Sequence, residues 1–177
     1  MTDGNQIARE LLRRLLAGER TNAPLHLAML LERSSALDHG DEHYREILPE
    51  RLANIRLDRK TVDDITHILC EEISRNPDSD LLFAVASTGA AEVTRLASKL
   101  LVEPPRPLTD AECAQALGII EAYLPSALAT DSNFLPFAIK KALTHTLDGL
   151  RNSKNISIQG HATRLLVQLR RFGIEGA

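Results

Sequence analysis

Apolar residues recur every three to four positions along almost the whole chain, the spacing that places them on one face of a helix. Ile7, Leu11, Leu12, Leu15 and Leu16 form a first stripe, and Gly18 is placed to end it. Asn22 and Pro24 are start signals for a second helix carrying Leu27, Leu30, Leu31 and Leu37, with a stop at Gly40. Tyr44, Ile47, Leu48, Leu52 and Ile55 make a third stripe. Pro49 lies inside it and should kink or split it, because proline lacks the N–H and clashes with the preceding turn.

The stretch TVDD, from Thr61, predicts the start of a fourth helix, with Thr61 as cap and Asp64 answering it. Its inward positions are Val62, Ile65, Leu69 and Ile73, and NPDSD ends it. Two shorter helices follow, separated at Gly89. The loop VEPPRP is the firmest break in the chain, since prolines so closely spaced forbid helix. Next, TDAE from Thr109 is a Thr-x-x-Glu capping box opening a helix with Cys113, Leu117, Ile120 and Leu124 inward. A long helix is expected from about Asn133 to Leu150, with Phe134 and Phe137 turned to the core. After NSKN, the positions Ile158, Ala162, Leu165, Leu166 and Leu169 form the last stripe. No alternating pattern long enough for a strand intervenes, so the expected class is all-α.

Some of these segments resemble one another. TVDDITHILCEEISRNP (61–77) and TDAECAQALGIIEAYLP (109–125) share a threonine, an acid three positions on and a closing proline. SDLLFAVA (79–86) aligns with SNFLPFAI (132–139), and VTRLASKLL (93–101) with ATRLLVQLR (162–170). Units of two or three helices near about 40–50 residues are similar to the HEAT and armadillo families of α-helical repeats. That resemblance implies a short α-solenoid of stacked helix pairs or triplets, with units at 1–57, 61–102 and 109–172 of one all-helical domain. A compact multi-helix bundle is the alternative reading of the same stripes. No HEAT-type Pro-Asp-Arg placement accompanies the match.

Composition sharpens the helical reading. Apolar residues make up 44% of the 177 positions, aromatics only 3%, and there is no Trp. Leu and Ala favour helix, while the aromatic types that favour strands are scarce. The N-terminus has no basic stretch followed by an apolar run, and LLFAVASTGAA falls short of the ~20 residues a membrane helix needs. Cys70 and Cys113 have no CxxC spacing, so reduced thiols and a cytoplasmic location are expected.

The net charge of −3 conceals an asymmetry. Residues 1–60 hold ten acids and ten bases, residues 61–133 hold twelve acids and four bases, and residues 134–177 hold two acids and seven bases. A field of this kind can steer a charged partner or favour contact between copies of the chain.

Three features could carry chemistry. The stretch DHGDEHYRE (38–46) offers His39, Asp41 and His43 as metal ligands. The same residues do ordinary work at a helix junction: Gly40 as stop, His39 near a negative helix end, Asp41 as N-cap and Glu42 in a first turn. Asp38-His39 also reverses the His-Asp order of the HD-type phosphohydrolases. On the fourth helix, Asp63, His67 and Glu71 recur at i, i+4 and i+8 with Asp64 beside them. Such a ladder can hold a divalent metal or serve acid–base chemistry, and is equally a solvated face of i, i+4 pairs. In the basic C-terminal third, Lys140, Lys141, Arg164, Arg170 and Arg171 offer a surface for an acidic partner or for phosphates, although stacking aromatics are scarce there. Finally, GxSxG, SxxK, GxGxxG and the P-loop are all missing, so no nucleophile or phosphate cradle is signalled.

The expected function is therefore a non-catalytic protein-interaction module, an adaptor, regulator or immunity-type inhibitor that binds a charged protein surface. No cofactor is implied, nucleic acid and membrane are disfavoured as partners, and self-association stays open. A metal-dependent hydrolase using the Asp63/Asp64/His67/Glu71 face with His39 or His43 is one alternative. Nucleic-acid binding through the C-terminal third is the other.

Overall fold

The computed structural model describes residues 3–35 and 48–172, and these are helical wherever they are regular, with no strand among them. The helices are α1 (Gly4–Leu16), α2 (Ala23–Ser34), α3 (Glu50–Ala53), α4 (Arg59–Arg75), α5 (Ser79–Ala86), α6 (Ala91–Val102), α7 (Asp110–Thr130), α8 (Phe137–Leu150) and α9 (Ile156–Arg170). The junction DHGDEHYRE falls outside the described residues.

Two compact units are present. The first comprises residues 1–73 and 78–90, the second 74–77 and 91–177. The division at Ala90 lies inside the stretch 61–102 that the sequence pattern groups as one unit.

In the first unit α1 packs on α2, and α2 on α5. Leu15, Leu27, Leu30, Leu31, Ile65, Leu69 and Leu82 are almost wholly removed from water. Each such leucine or isoleucine contributes about 1.5–3 kcal/mol. Helix α1 starts at Asp3, whose side chain accepts the Asn5 N–H. It ends at Gly18, where φ is 91°, a conformation glycine adopts without a Cβ clash. Arg20 then ties two helix ends together. One guanidinium nitrogen donates to the Leu15 carbonyl at 3.1 Å, and another to the Asp78 carboxylate at 2.9 Å. Asp78 is itself the N-cap of α5.

The start of α4 differs from the sequence expectation. Asp58 is the capping side chain, accepting the Thr61 N–H at 2.7 Å, and the helix begins at Arg59. Thr61 is buried in the first turn instead of capping it. Aspartate outranks threonine slightly as an N-cap, and the Thr-x-x-Asp pattern masked the better one three residues upstream.

In the second unit α6 packs on α7, α8 on α9, α6 on α8, and α7 on α9. Leu117, Ile120, Leu124, Leu147, Ala162 and Leu165 form its centre. The Thr109–Glu112 capping box is formed in both directions. Helix α7 continues through Pro125 to Thr130. Helix α8 begins only at Phe137, because Pro136 is held extended at φ −54° and ψ 144° and the residue before a proline is steered away from the helical region. Residues 132–136 are thus a turn, whereas the positions they align with, 79–83, open the helix α5. Phe134 does enter the core, beneath the Arg95 guanidinium at 4.5 Å from the ring centre. Phe137 does not: it is 78% exposed at the first turn of α8.

Candidate functional site: an arginine-lined groove

A groove of about 770 Å³ lies in the first unit, between α1, His26 of α2, and α3 with Ile55 beyond it. That size is typical of ligand-holding clefts. Its floor is apolar, made by Ile7, Leu11, Leu52 and Ile55. Its walls carry Arg9, Arg13 and Arg14 from α1 and Arg51 from α3, with Glu10 the one acid in the lining.

Local rules explain this placement. Ile7 and Leu11 share one face of α1 at i, i+4, and Arg9 and Arg13 share another, one turn apart. One end of the groove is drawn shut around Gly4. A Cβ there would meet Ile55 Cγ2 at 2.6 Å, so only glycine lets the 54–57 segment approach α1 so closely. Asn5 secures the same approach, donating to the Asp58 carboxylate at 2.6 Å and accepting the Asp58 N–H at 3.2 Å.

The four arginines are not equivalent. Arg13 donates twice to Glu10, at 2.8 and 2.7 Å, and Arg14 likewise forks onto Glu19. Both acids are held below the usual carboxylate range, chiefly by those bonds. Arg9 stands 4.0 Å from Asp64, with both side chains about half exposed or more, where solvent screens the attraction. Arg51 meets no acid among the described residues. Among the described residues the lining's least compensated charges are therefore Arg51 and, weakly offset by Asp64, Arg9. His26 lines the same groove: burial first, then the charges of Arg51 and Arg14, push its imidazole below the ordinary value.

The other candidate residues are arranged differently. Asp63, Asp64, His67 and Glu71 lie exposed on α4, as their spacing requires. Asp63 is engaged by Arg59 at 3.0 Å, and His67 Nε2 stands 3.8 Å from Glu71 Oε1. Among the described residues no three His, Cys, Asp or Glu side chains converge as metal ligands would. His39 and His43 lie outside the described residues. In the C-terminal third, Arg164 is consumed by a structural contact: with His161 it grips the Glu121 carboxylate of α7. Lys140 donates to the Ser132 carbonyl at 2.8 Å. Lys141, Arg170 and Arg171 are exposed and form no ion pair among the described residues.

The sequence pattern did not find the groove. Arg51 lies 37 to 42 positions beyond the α1 arginines it joins, and residues 1–60 are neutral overall, so no charge run betrays it. The one local signal was the one-turn spacing of Arg9 and Arg13. The chain matches no protein-family model, no curated protein sequence and no solved structure. No helix among the described residues is long and apolar enough to cross a membrane.

Proposed function

We propose that this protein is a non-catalytic interaction module that binds an acidic surface of a partner protein through the groove of the first unit. The observation that carries the reading is the lining itself, in which Arg9, Arg13, Arg14 and Arg51 surround apolar residues with Glu10 as the one acid. Arginine is the side chain best suited to a desolvated carboxylate, through two parallel bonds in a fixed plane. Apolar floor and charged walls together are the anatomy of a recognition site, with affinity from the one and selection from the other.

The second unit would serve as scaffold and as a subsidiary surface. Its pairings support the stacked-hairpin reading of the architecture. With α6/α7 and α8/α9 as hairpins, stacking brings α6 to α8 and α7 to α9, the pairs that pack here. An up-down-up-down bundle would instead set α7 chiefly against α8. Lys141, Arg170 and Arg171 would give that unit a positive surface of its own.

Affinity capture from the native cell tests this reading, followed by binding measurements with the purified companion across a salt series. The account expects a stoichiometric protein partner whose affinity falls as salt rises. A partner whose binding ignores salt, or purification of the chain alone at every salt, would refute it.

A further inference from the structure

The groove's geometry also constrains the form of its ligand, and this inference rests on the interaction reading above. Along α1 the lining runs from Gln6 to Arg14, about 12 Å at 1.5 Å per residue, two turns of helix. The floor residues Ile7 and Leu11 repeat at one-turn spacing, as a neighbouring helix's own apolar positions do. Arg9, Arg13 and Arg14 from α1 and Arg51 from α3 line the same groove, so carboxylates flanking an inserted apolar stripe would meet guanidinium groups. Glu10 and Glu19 are spent on Arg13 and Arg14, Arg9 has only a long, exposed contact with Asp64, and Arg51 meets no acid among the described residues.

We infer that the groove takes an amphipathic helical segment of a partner protein, with leucine-like anchors at i, i+3 or i+4 and i+7 and acidic residues flanking that stripe. This is the helix-in-groove mode of recognition, in which the apolar face supplies contact area and the flanking charge fixes orientation. A flat acidic patch would reach the arginines and leave the floor in water. A small anion would satisfy one wall only.

Two synthetic peptides test it, sharing one leucine stripe and differing only in flanking Glu or Lys, each titrated into the isotope-labelled full chain. The Glu peptide should shift the amide resonances of Ile7, Leu11, His26 and Leu52, and weaken by about tenfold from low to physiological salt. The Lys peptide should leave those resonances in place. In the double variant Arg9→Glu, Arg51→Glu, affinity for the Glu peptide should fall at least about tenfold and the Lys peptide should begin to bind. Both positions are exposed, and an unchanged melting temperature separates this effect from misfolding. Equal response to the two peptides, shifts confined to other surfaces, or indifference to the charge reversal would each overturn the proposal. So would saturation of the same resonances by dodecanoate with none by the Glu peptide, which would assign the groove to small amphiphilic anions. If the Glu peptide fails while a captured partner still binds in a salt-dependent way, the helix-in-groove inference falls and the interaction reading stands.

Discussion

Arg106 closes a two-bond fork on Glu112, with Nη1 donating to Oε2 at 3.0 Å and Nη2 to Oε1 at 2.8 Å. The same carboxylate accepts the Thr109 N–H at 2.9 Å, and Arg106 donates onward to the Pro77 carbonyl. One acid, 6% exposed, thus fastens the proline-rich loop to the start of α7.

These bonds, Arg106 first, hold the Glu112 carboxyl below its ordinary value of 4.5. A depressed folded value means that the stabilisation is full above the unfolded value and is lost as pH falls through the folded one. Glu112→Ala should cost about 2 kcal/mol at neutral pH, combining a lost cap with lost charge-assisted bonds. Urea unfolding from neutral to acid pH checks this: the gap between wild type and variant should close on acidification. A gap independent of pH would mean that the carboxylate's charge contributes nothing.

Glu121 and Arg164 offer a test of a more exposed pair. Arg164 Nη2 donates to Oε2 at 3.0 Å, with His161 on the same oxygen, so the three join α7 to α9. The Arg164 side chain is 57% exposed, which screens the attraction. A double-mutant cycle with Glu121→Gln and Arg164→Met should give a coupling of about 0.5–1 kcal/mol. A coupling near zero would reduce the contact to a surface pair without structural weight.

Cys70 and Cys113 are free thiols buried inside the helices that carry them. Burial, and then the charge of Asp110, push the Cys113 thiol up to about 11. The reactive thiolate is therefore scarce at neutral pH. In native protein, modification of both by an aromatic disulfide reagent should proceed at the rate of unfolding, and should become fast in denaturant. Rapid labelling of Cys113 in the native state would contradict its packing.

Gly4 should tolerate no side chain. Gly4→Ala would bring Cβ to 2.6 Å from Ile55 Cγ2, a branched position with little freedom to move. We expect a loss of about 1–3 kcal/mol, in the range of overpacked cores. Gly118, which has nothing within 4 Å of the same added atom, serves as the control. There Gly→Ala should stabilise by about 0.5–1 kcal/mol through helix propensity.

These sites differ in how openly the sequence announces them. The stripes of Leu117, Ile120 and Leu124 and the Thr109–Glu112 box were legible because helix periodicity and capping act over a few neighbouring residues. The start of α8 was misplaced because the apolar run through Phe134 and Leu135 fits a helix as well as a buried turn, and Pro136 decides between them. The exposure of Phe137 follows from that shift in register. Asp58 was overlooked as the cap of α4 because Thr61 and Asp64 satisfy the same pattern one turn later. The groove was not legible at all. It depends on Gly4 and Asn5 bringing the 54–58 segment against α1, so that Arg51 joins Arg9, Arg13 and Arg14 in one lining.

The central claim is that Arg9 and Arg51 select an acidic partner. Equilibrium binding of the captured partner tests it most directly, comparing wild type, Arg9→Glu with Arg51→Glu, and Lys141→Glu with Arg170→Glu. The account predicts a loss of at least about tenfold for the groove pair, a smaller one for the second pair, and a shallower salt dependence in the groove variant. Full affinity in the groove variant, with loss only in the second, would contradict the account and move the binding surface to the C-terminal third.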